Sequence, residues 1–309
     1  MMETTKPRPD VLDSRGFRPA LWRVLKYFGS NPSALVGVII VAAFLLSAVL
    51  AGLLPLHDPT LMAYDATFMP PGSPGHPLGT DQFGRDILSR LLYGSRTSLY
   101  VGVVSVALGC GFGALIGLTS GYLGGTLDSI VGRIMDVLLA FPLMVLAIAM
   151  VAALGPSTDT VVIAVAVPMM PRMYRVIRAA TLSIKEMEFI KAAEVIGATP
   201  FRIITRHLLR SVSSLIIVVA MAQIGVAIVT EAGLGFLGLG TQEPQPSWGL
   251  MLSGSVAIYA NAAPWIPILP GLALAAVVFG FNMSGDALRD LTDPHSVVGR
   301  SREEWKVDR

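Results

Sequence analysis

The sequence predicts an all-α polytopic membrane protein with six transmembrane helices and both termini in the cytoplasm. Of its 309 residues, 53% are hydrophobic and only 14% are charged, and the mean hydropathy is +0.65. This composition is too apolar for a soluble domain of the same size, so we expect the chain to cross a membrane several times.

Six apolar segments are candidate transmembrane helices. The first is expected to be retained, because its length suits a spanning helix better than a signal peptide and no Ala-x-Ala cleavage site follows it. The polar, basic residues before it should form a tail with at most an interfacial helix over 21–28. The six segments are 35–54, 99–119, 134–153, 160–170 extended toward 177, 212–230 and 264–284.

The basic residues predict the orientation. All but three of the 23 Lys and Arg residues fall in the two tails and in the loops that lie on the same side as the tails. Because cytoplasmic loops are enriched in Lys and Arg, this asymmetry predicts that both termini and the loop at 171–211 are cytoplasmic.

The three exceptions, Arg85, Arg90 and Arg96, lie between the first two spans. Asp86 and Arg90 are four residues apart beside an apolar stripe that includes Ile87, which predicts an amphipathic helix lying at the outer interface. A packed ion pair that orients the chain entering the second span explains these charges better than a role in substrate binding.

The second span carries glycine at every fourth position from Gly109 to Gly121. One face of this helix is therefore bare backbone that can pack closely on another helix. The pattern leaves open whether that partner helix belongs to the same subunit or to another one.

An amphipathic island at 186–210 separates two of the spans. Phe189, Ala193 and Ile196 share one helical face with Ala192, while the charged residues point elsewhere. Gly197 is suited to end this helix, and Thr199 followed by proline to begin a second one. The helix is interpreted either as a plug for a socket on a partner or as a surface helix on lipid headgroups.

Several kinds of chemistry lack their sequence signatures. No Gly-Lys dipeptide occurs, so there is no Walker A loop. The predicted spans carry no ionisable group near the bilayer midplane, which disfavours a proton- or sodium-driven carrier. No Gly-x-Ser-x-Gly elbow indicates a hydrolase. We therefore expect a protein that is not an enzyme.

No metal site or disulfide is predicted. The single cysteine, Cys110, lies in an apolar run. The four histidines, His57, His76, His207 and His295, are too scattered along the sequence to suggest a set of ligands.

The island at 191–197 resembles the E-A-A-x-x-x-G motif of permease subunits of bacterial ABC importers. Lys191 stands where that motif has its glutamate, and Arg210 where it usually ends in proline. Two further stretches, 79–90 and 234–249, narrow the resemblance to the C-type permease subunit of the dipeptide, oligopeptide and nickel branch. Together with 140–142 and 285–294, the resemblance covers about 34–294.

The resemblance implies the fold of a type I ABC importer permease in the bacterial inner membrane. The helix within 186–200 would be the coupling helix that docks into a cleft of an ATPase subunit. It also implies four partners: a homologous B-type permease subunit, two ABC ATPase subunits and an extracytoplasmic peptide-binding protein. ATP and Mg²⁺ would bind to the ATPase subunits, with no cofactor in this chain and no nucleic acid. The candidate coupling residues are Glu188, Phe189, Lys191, Ala192, Ala193, Glu194, Ile196 and Gly197.

The glycine-rich segment at 233–240 is expected beside the outer gate, since irregular backbone at membrane depth must be buried in protein or line a cavity. Gln223 and Glu231 would line the upper part of the cavity, although Glu231 could instead cap the end of its span at the headgroups. The candidate residues of the path or gate are Gln223, Glu231, Gly235, Gly238 and Gly240, and those that contact the binding protein are Glu243 and Trp248. Glu243 replaces a proline that is common at this point in the family.

Four regions and one function are expected. A cytoplasmic tail (1–33) precedes the first span with its extracytoplasmic segment (34–96), a permease core of five spans (97–285) and a cytoplasmic tail (286–309). The function is import of di- or oligopeptides. The alternatives are import of nickel or another small solute, a secondary or channel-type transporter, and a membrane-embedded enzyme or scaffold.

Overall fold

The computed structural model describes residues 31–253 and 261–292, and the regular structure of these residues is helical. The predicted interfacial helix at 21–28 and most of both predicted tails lie outside the described residues. The helices are α1 (Pro32–Leu50), α2 (Ile87–Leu123), α3 (Gly125–Ala140), α4 (Leu143–Leu154), α5 (Thr158–Ile184), α6 (Glu188–Val195), α7 (Pro200–Phe236), α8 (Trp248–Leu252) and α9 (Trp265–Thr292).

Among the described residues, α1, α2, α5, α7 and α9 are each long and apolar enough to span a membrane. The span predicted at 134–153 is a bent pair, because α3 and α4 meet there at an angle of 92°. Phe141, at the break, has an extended backbone with φ −93° and ψ 134°. The following Pro142 causes this break, since proline disfavours helical conformation in the residue before it.

The glycine stripe of α2 packs against α5 within the same chain. A Cβ atom on Gly109 would lie 2.5 Å from the carbonyl oxygen of Ala166, and one on Gly117 would lie 2.8 Å from that of Tyr174. The contacts on α2 and α5 advance in the same direction, so the two helices are parallel. Of the two interpretations left open by the sequence, the described contacts support packing inside the subunit.

This parallel arrangement fixes the number of membrane crossings among the described residues. The chain leaves α2 at one end of the bundle and must enter α5 at the other, so the bent pair α3 and α4 carries it back across. α1 and α9 are antiparallel, with Gly37 against Met283 and Gly280 against Ile40. With the bent pair counted as one span, the described helices provide six candidate crossings. We call the end at the α2 N-terminus the outer end and the end at α6 the inner end, following the prediction from charge.

Three helices extend past the boundaries predicted for the regions and spans. The amphipathic segment near Arg90 is not a separate interfacial helix, because it is the first part of α2, and the boundary expected at 96/97 falls inside this helix. The last helix continues through 285 to Thr292. The fifth span begins at Pro200 and continues through a π-helical stretch, Ile203–Leu208, so that the second helix of the island and the span are one element.

Candidate functional site

The α6 helix at the inner end has one buried and one exposed apolar face. Ile190 is wholly buried, and Ala193 is nearly so. By contrast, 84% of Ile196 and 87% of Val195 are exposed. Grouping Ala193 with Phe189 and Ile196 on one face was therefore wrong, because Ala193 faces the body of its own subunit. The remaining predicted coupling residues are exposed: Glu188, Phe189, Lys191, Ala192, Glu194, Ile196 and Gly197.

The exposed apolar side chains around α6 form one candidate docking surface, which we call the coupling face. Large exposed apolar patches on a protein commonly mark interaction sites. The coupling face consists of Met187, Phe189, Val195, Ile196 and Phe201.

The turn after α6 confirms the predicted bend at Gly197. Its φ is +83°, and its N–H donates to the carbonyl of Glu194 at 2.9 Å, while the N–H of Ala198 donates to that of Ala193 at 3.0 Å. These two bonds define a Schellman motif, which ends a helix with a left-handed residue. Thr199 then caps the start of α7 by accepting from the N–H of Arg202 at 3.4 Å.

A polar groove of about 430 Å³ lies between α6 and the inner end of α2. The hydroxyl of Tyr122 donates to Oε1 of Glu194 at 2.9 Å, which ties α6 to α2. Lys191 pairs with the carboxylate of Glu186 at 3.1 Å, and both side chains are more than half exposed. The lysine that replaces the glutamate of the family motif is thus paired within this chain.

Two predicted path residues in the outer half of α7 are enclosed. Gln223 is 5% exposed and Glu231 is wholly buried. Among the residues that the structure describes, neither carboxylate oxygen of Glu231 has a hydrogen-bond partner of ordinary geometry. The hydroxyls of Ser98 and Ser247 are the polar groups near it. Full burial contradicts the alternative that Glu231 caps its span at the headgroups.

Three glycines hold α8 against the end of α7. A Cβ atom on Gly249 would lie 2.5 Å from the carbonyl oxygen of Ala232, and one on Gly240 would lie 2.6 Å from the Cα of Gly235. Gly235 belongs to the last turn of α7, so the glycine-rich segment is partly helical rather than a loop throughout. Gly238 is exposed and has φ +75°. A place for these residues at the outer gate stays a prediction.

Trp248 is not available to a binding protein in this structure. It has no exposed surface, its indole N–H donates to the carbonyl of Leu91 at 3.0 Å, and its ring meets Phe44 edge-on at 5.3 Å. The prediction of direct contact is wrong for this conformation, because the side chain is used to join α8 to α1 and α2.

Glu243 closes a cluster of charges over the start of α2. Its Oε2 accepts from Arg85 at 2.6 Å, its Oε1 lies 3.6 Å from Arg90, and Arg85 also donates to Asp81 at 2.6 Å. The predicted pair of Asp86 with Arg90 is wrong, since Asp86 instead caps α2 by accepting from the N–H of Ser89. The side chain of Glu243 is still 46% exposed, so its contact with a binding protein stays a prediction.

Arg96, the third outer arginine, also has hydrogen-bond partners within the chain. Arg96 donates to the carbonyl oxygens of Ala48 and Val49 at the end of α1. Carbonyls at a helix C-terminus carry partial negative charge and lack intrahelical partners. All three outer arginines therefore have structural partners, as the interpretation of packed charges required.

A comparison with models of protein families matches more than half of this sequence to one family. The model described as "Binding-protein-dependent transport system inner membrane component" matches residues 113–297. The chain belongs to this family. A second model, "N-terminal TM domain of oligopeptide transport permease C", matches residues 20–71.

Named relatives of this inner membrane component cover most of the chain. A dipeptide transport system permease protein DppC of Alkalihalophilus pseudofirmus is 44% identical over 88% of this chain and 90% of that protein. The corresponding protein of Haemophilus influenzae is 40% identical over 87% and 92%. A glutathione transport system permease protein GsiD of Pectobacterium atrosepticum is 44% identical over 78% and 80%.

A solved structure supports the fold of this inner membrane component. A chain of the MetNI methionine ABC transporter in an inward-facing conformation aligns with a TM-score of 0.55 and 20% identity, over 67% of this chain and 98% of that chain. At this identity the likeness concerns the fold alone.

Sequence reasoning missed one cluster in this inner membrane component. His57, His76 and Asp86 approach one another at the outer end, so the expectation that the histidines are too scattered is wrong for two of them. The spacing along the chain gave no signal, because the three residues lie in two loops and a helix cap that only the fold brings together.

Proposed function

We propose that this chain is a permease subunit of an ATP-driven importer of di- or oligopeptides in the bacterial inner membrane. It works with a homologous permease subunit, two ATPase subunits and an extracytoplasmic peptide-binding protein. The relatives named as dipeptide and glutathione permeases support a peptide substrate. Import of nickel or another small solute is the alternative within the family.

The observation that carries the coupling role is the division of α6 into two faces. Ile190 and Ala193 anchor the helix in its own subunit, while the side chains of the coupling face are exposed. A helix held on one side and apolar on the other is suited to dock into a groove of a partner. With the inner end in the cytoplasm, as the charge asymmetry predicts, that partner is an ATPase subunit, which binds ATP and Mg²⁺.

The connection from α6 to α7 supplies a path for the transport motion. The Schellman turn at Gly197 and the cap at Thr199 join α6 directly to α7, which is one continuous helix of 37 residues. Movement of α6 by a partner therefore tilts α7 as a lever. The outer half of this lever carries Gln223 and Glu231, so rocking of α7 changes the packing at the proposed outer gate.

Opening the gate would expose residues that are now enclosed. Glu231 lies where α7 meets Ser98 of α2 and Ser247, which begins α8. Separation of these elements would present its carboxylate to the path, together with the backbone at Gly235, Gly238 and Gly240. A carboxylate placed there would attract the amino terminus of a peptide.

An exposed residue of the coupling face gives the sharpest test. Ile196→Asp leaves the core of the subunit untouched but puts a charge into the docking groove, where an unpaired buried charge costs about 3 kcal/mol, or roughly 100-fold in affinity. We expect loss of peptide uptake and loss of ATPase subunits from the purified complex. Leu61→Asp, at a residue that is 63% exposed at the outer end, is the matched control and should retain both. Normal uptake by Ile196→Asp would contradict the coupling role.

A further inference from the structure

Three potential metal ligands converge at the outer end, far from α6. One ligand atom from each of His57, His76 and Asp86 can be chosen so that all three lie within 4.8 Å of one another. The two imidazole rings are stacked, with centroids 4.9 Å apart and an angle of 29° between their planes. Nδ1 of His76 lies 3.0 Å from Oδ1 of Asp86.

The Asp86 carboxylate is oriented by its neighbours. Its Oδ2 accepts from both the N–H and the hydroxyl of Ser89 at 2.8 Å, and the side chain is only 3% exposed. Oδ1 is thereby left on the histidine side. Hydrogen bonds that hold a carboxylate in this way are typical of the supporting groups around metal ligands.

Both histidines sit on segments that are tied to the bundle. His76 ends a tight turn, in which its N–H donates to the carbonyl of Ser73 at 2.9 Å. Two residues after His57, the carbonyl of Pro59 accepts from the buried Arg90 of α2 at 3.0 Å. Two separate loops are therefore fixed against the N-terminus of α2, with one imidazole on each.

We propose that His57, His76 and Asp86 form a binding site for a divalent transition-metal ion, with Zn²⁺ as the ion that suits the ligand set. Two imidazole nitrogens and one carboxylate oxygen are preferred ligands of Zn²⁺, and water completes a tetrahedron. Ca²⁺ and Mg²⁺ prefer sets made of oxygen. The hydrogen bond between His76 and Asp86 does not account for the imidazole of His57 beside them. As a metal ligand, His57 supplies the third member of the set.

Closing the site requires a small movement. Ligand atoms about 2.0–2.1 Å from a tetrahedral Zn²⁺ are about 3.3 Å from one another. His57 is exposed, so its ring can turn toward the other two ligands without disturbing the core. The bound ion would link the loop after α1, the turn at His76 and the start of α2, and would stiffen this outer segment.

Metal binding by the purified full chain tests the site directly. The protein in nanodiscs is stripped with a chelator and titrated with Zn²⁺ in competition with a chromophoric indicator. We expect one Zn²⁺ per chain and a rise in the apparent melting temperature with added Zn²⁺. No stoichiometric binding to the unaltered protein would overturn the proposal.

The variants identify the ligands. His57→Ala and His76→Ala should each weaken binding by about 10-fold or more, since each removes one of three protein ligands. Asp86→Asn should also weaken it while keeping the helix cap, because asparagine caps as well as aspartate. His207→Ala removes an imidazole from α7 at the other end and is the matched control, with unchanged affinity expected. Unchanged affinity in the two His→Ala variants of the site would overturn the assignment.

A rescue variant separates ligation from structure. His57→Cys restores a ligand atom with softer character, so it should bind Zn²⁺ more tightly than His57→Ala and should raise the affinity for Cd²⁺ relative to Zn²⁺. A merely structural histidine would not produce this shift in metal preference. If His57→Cys bound both ions as poorly as His57→Ala, the role of residue 57 as a ligand would be refuted. None of these measurements depends on transport.

Discussion

At the scale of single residues, Trp248 shows how a side chain can be important without touching a partner. Its ring fills the space between α8, α1 and α2, and its N–H satisfies the carbonyl of Leu91. A tryptophan that is wholly buried contributes through packed area and through one hydrogen bond, and the two can be separated by substitution.

Substitution of Trp248 should act on stability first. Trp248→Ala leaves a cavity and should cost about 3–5 kcal/mol, whereas Trp248→Phe loses mainly the hydrogen bond and should cost about 1 kcal/mol. The yield and melting temperature of the detergent-purified protein measure the difference. Phe112→Ala removes an aromatic ring that is 52% exposed on α2 and should change little. A Trp248→Ala protein as stable as the unaltered one would contradict the packing role.

Glu231 is the opposite case, because its burial is costly. A buried carboxylate without hydrogen-bond partners destabilises a fold, and such residues persist mainly where function requires them. We therefore expect Glu231, which is enclosed by α2, α7 and α8, to lower the stability of the fold while serving transport.

Glu231→Gln should separate these two effects. The amide has nearly the same shape but no charge, so we expect an unchanged or higher melting temperature together with slower peptide uptake. Gln223→Leu, at the other predicted path residue on α7, is the companion variant and should also alter the rate of uptake. If Glu231→Gln transported at the normal rate, the proposed role of the carboxylate in the path would be withdrawn.

At the scale of elements, the seam between α2 and α5 gives the core its shape. Glycines at four-residue spacing let the backbones approach so closely that carbonyl oxygens of α5 fill the space of the missing side chains. The seam is parallel, and this is what forces the bent pair α3 and α4 to cross back.

Two glycines of α2 allow a controlled test of the seam. A Cβ atom on Gly113 would lie 2.5 Å from the carbonyl oxygen of Met170, whereas one on Gly111 would have no neighbour within 4 Å. Gly113→Leu should therefore push α2 and α5 apart at a cost of about 1–3 kcal/mol or more, and Gly111→Leu should not. Thermal stability of the purified variants, followed by size exclusion, measures this. Equal stability of the two would contradict the close approach.

At the scale of the whole molecule, the direction of the bundle rests on charge and on connectivity. The parallel α2 and α5 require that the loop between α4 and α5 lie at the outer end with the segment around Gln245. The enrichment of Lys and Arg in the tails and in the loops at the α6 end predicts that this end is cytoplasmic.

Thiol labelling measures this arrangement. In a Cys110→Ser background, cysteines placed at the exposed residues Ser157 and Gln245 should react with a membrane-impermeant reagent in intact cells. A cysteine at the exposed Glu186 should react only after the membrane is opened. Labelling of positions 157 and 186 from the same side would show that α3 and α4 do not cross the membrane. Labelling of position 186 alone from outside would show that the orientation assigned to the bundle is reversed.

The sequence by itself determined the features that depend on neighbouring residues. The apolar runs mark the spans because length and hydropathy are local properties. The bend at Gly197 and the cap at Thr199 followed from residue types within one turn, and both are present. The spacing of the glycines in α2 likewise predicted a close helix contact, although not its partner.

Only the tertiary structure decided the contacts between distant parts of the chain. Trp248 reaches Leu91, Glu243 reaches Arg85, and Ala193 turns inward, and the local pattern predicted none of these contacts. His57 and His76 meet for the same reason. Local patterns specify which residues can share a helix face, but a charged or aromatic group finds its partner only when long loops close, and the packing of the whole bundle determines which loops close.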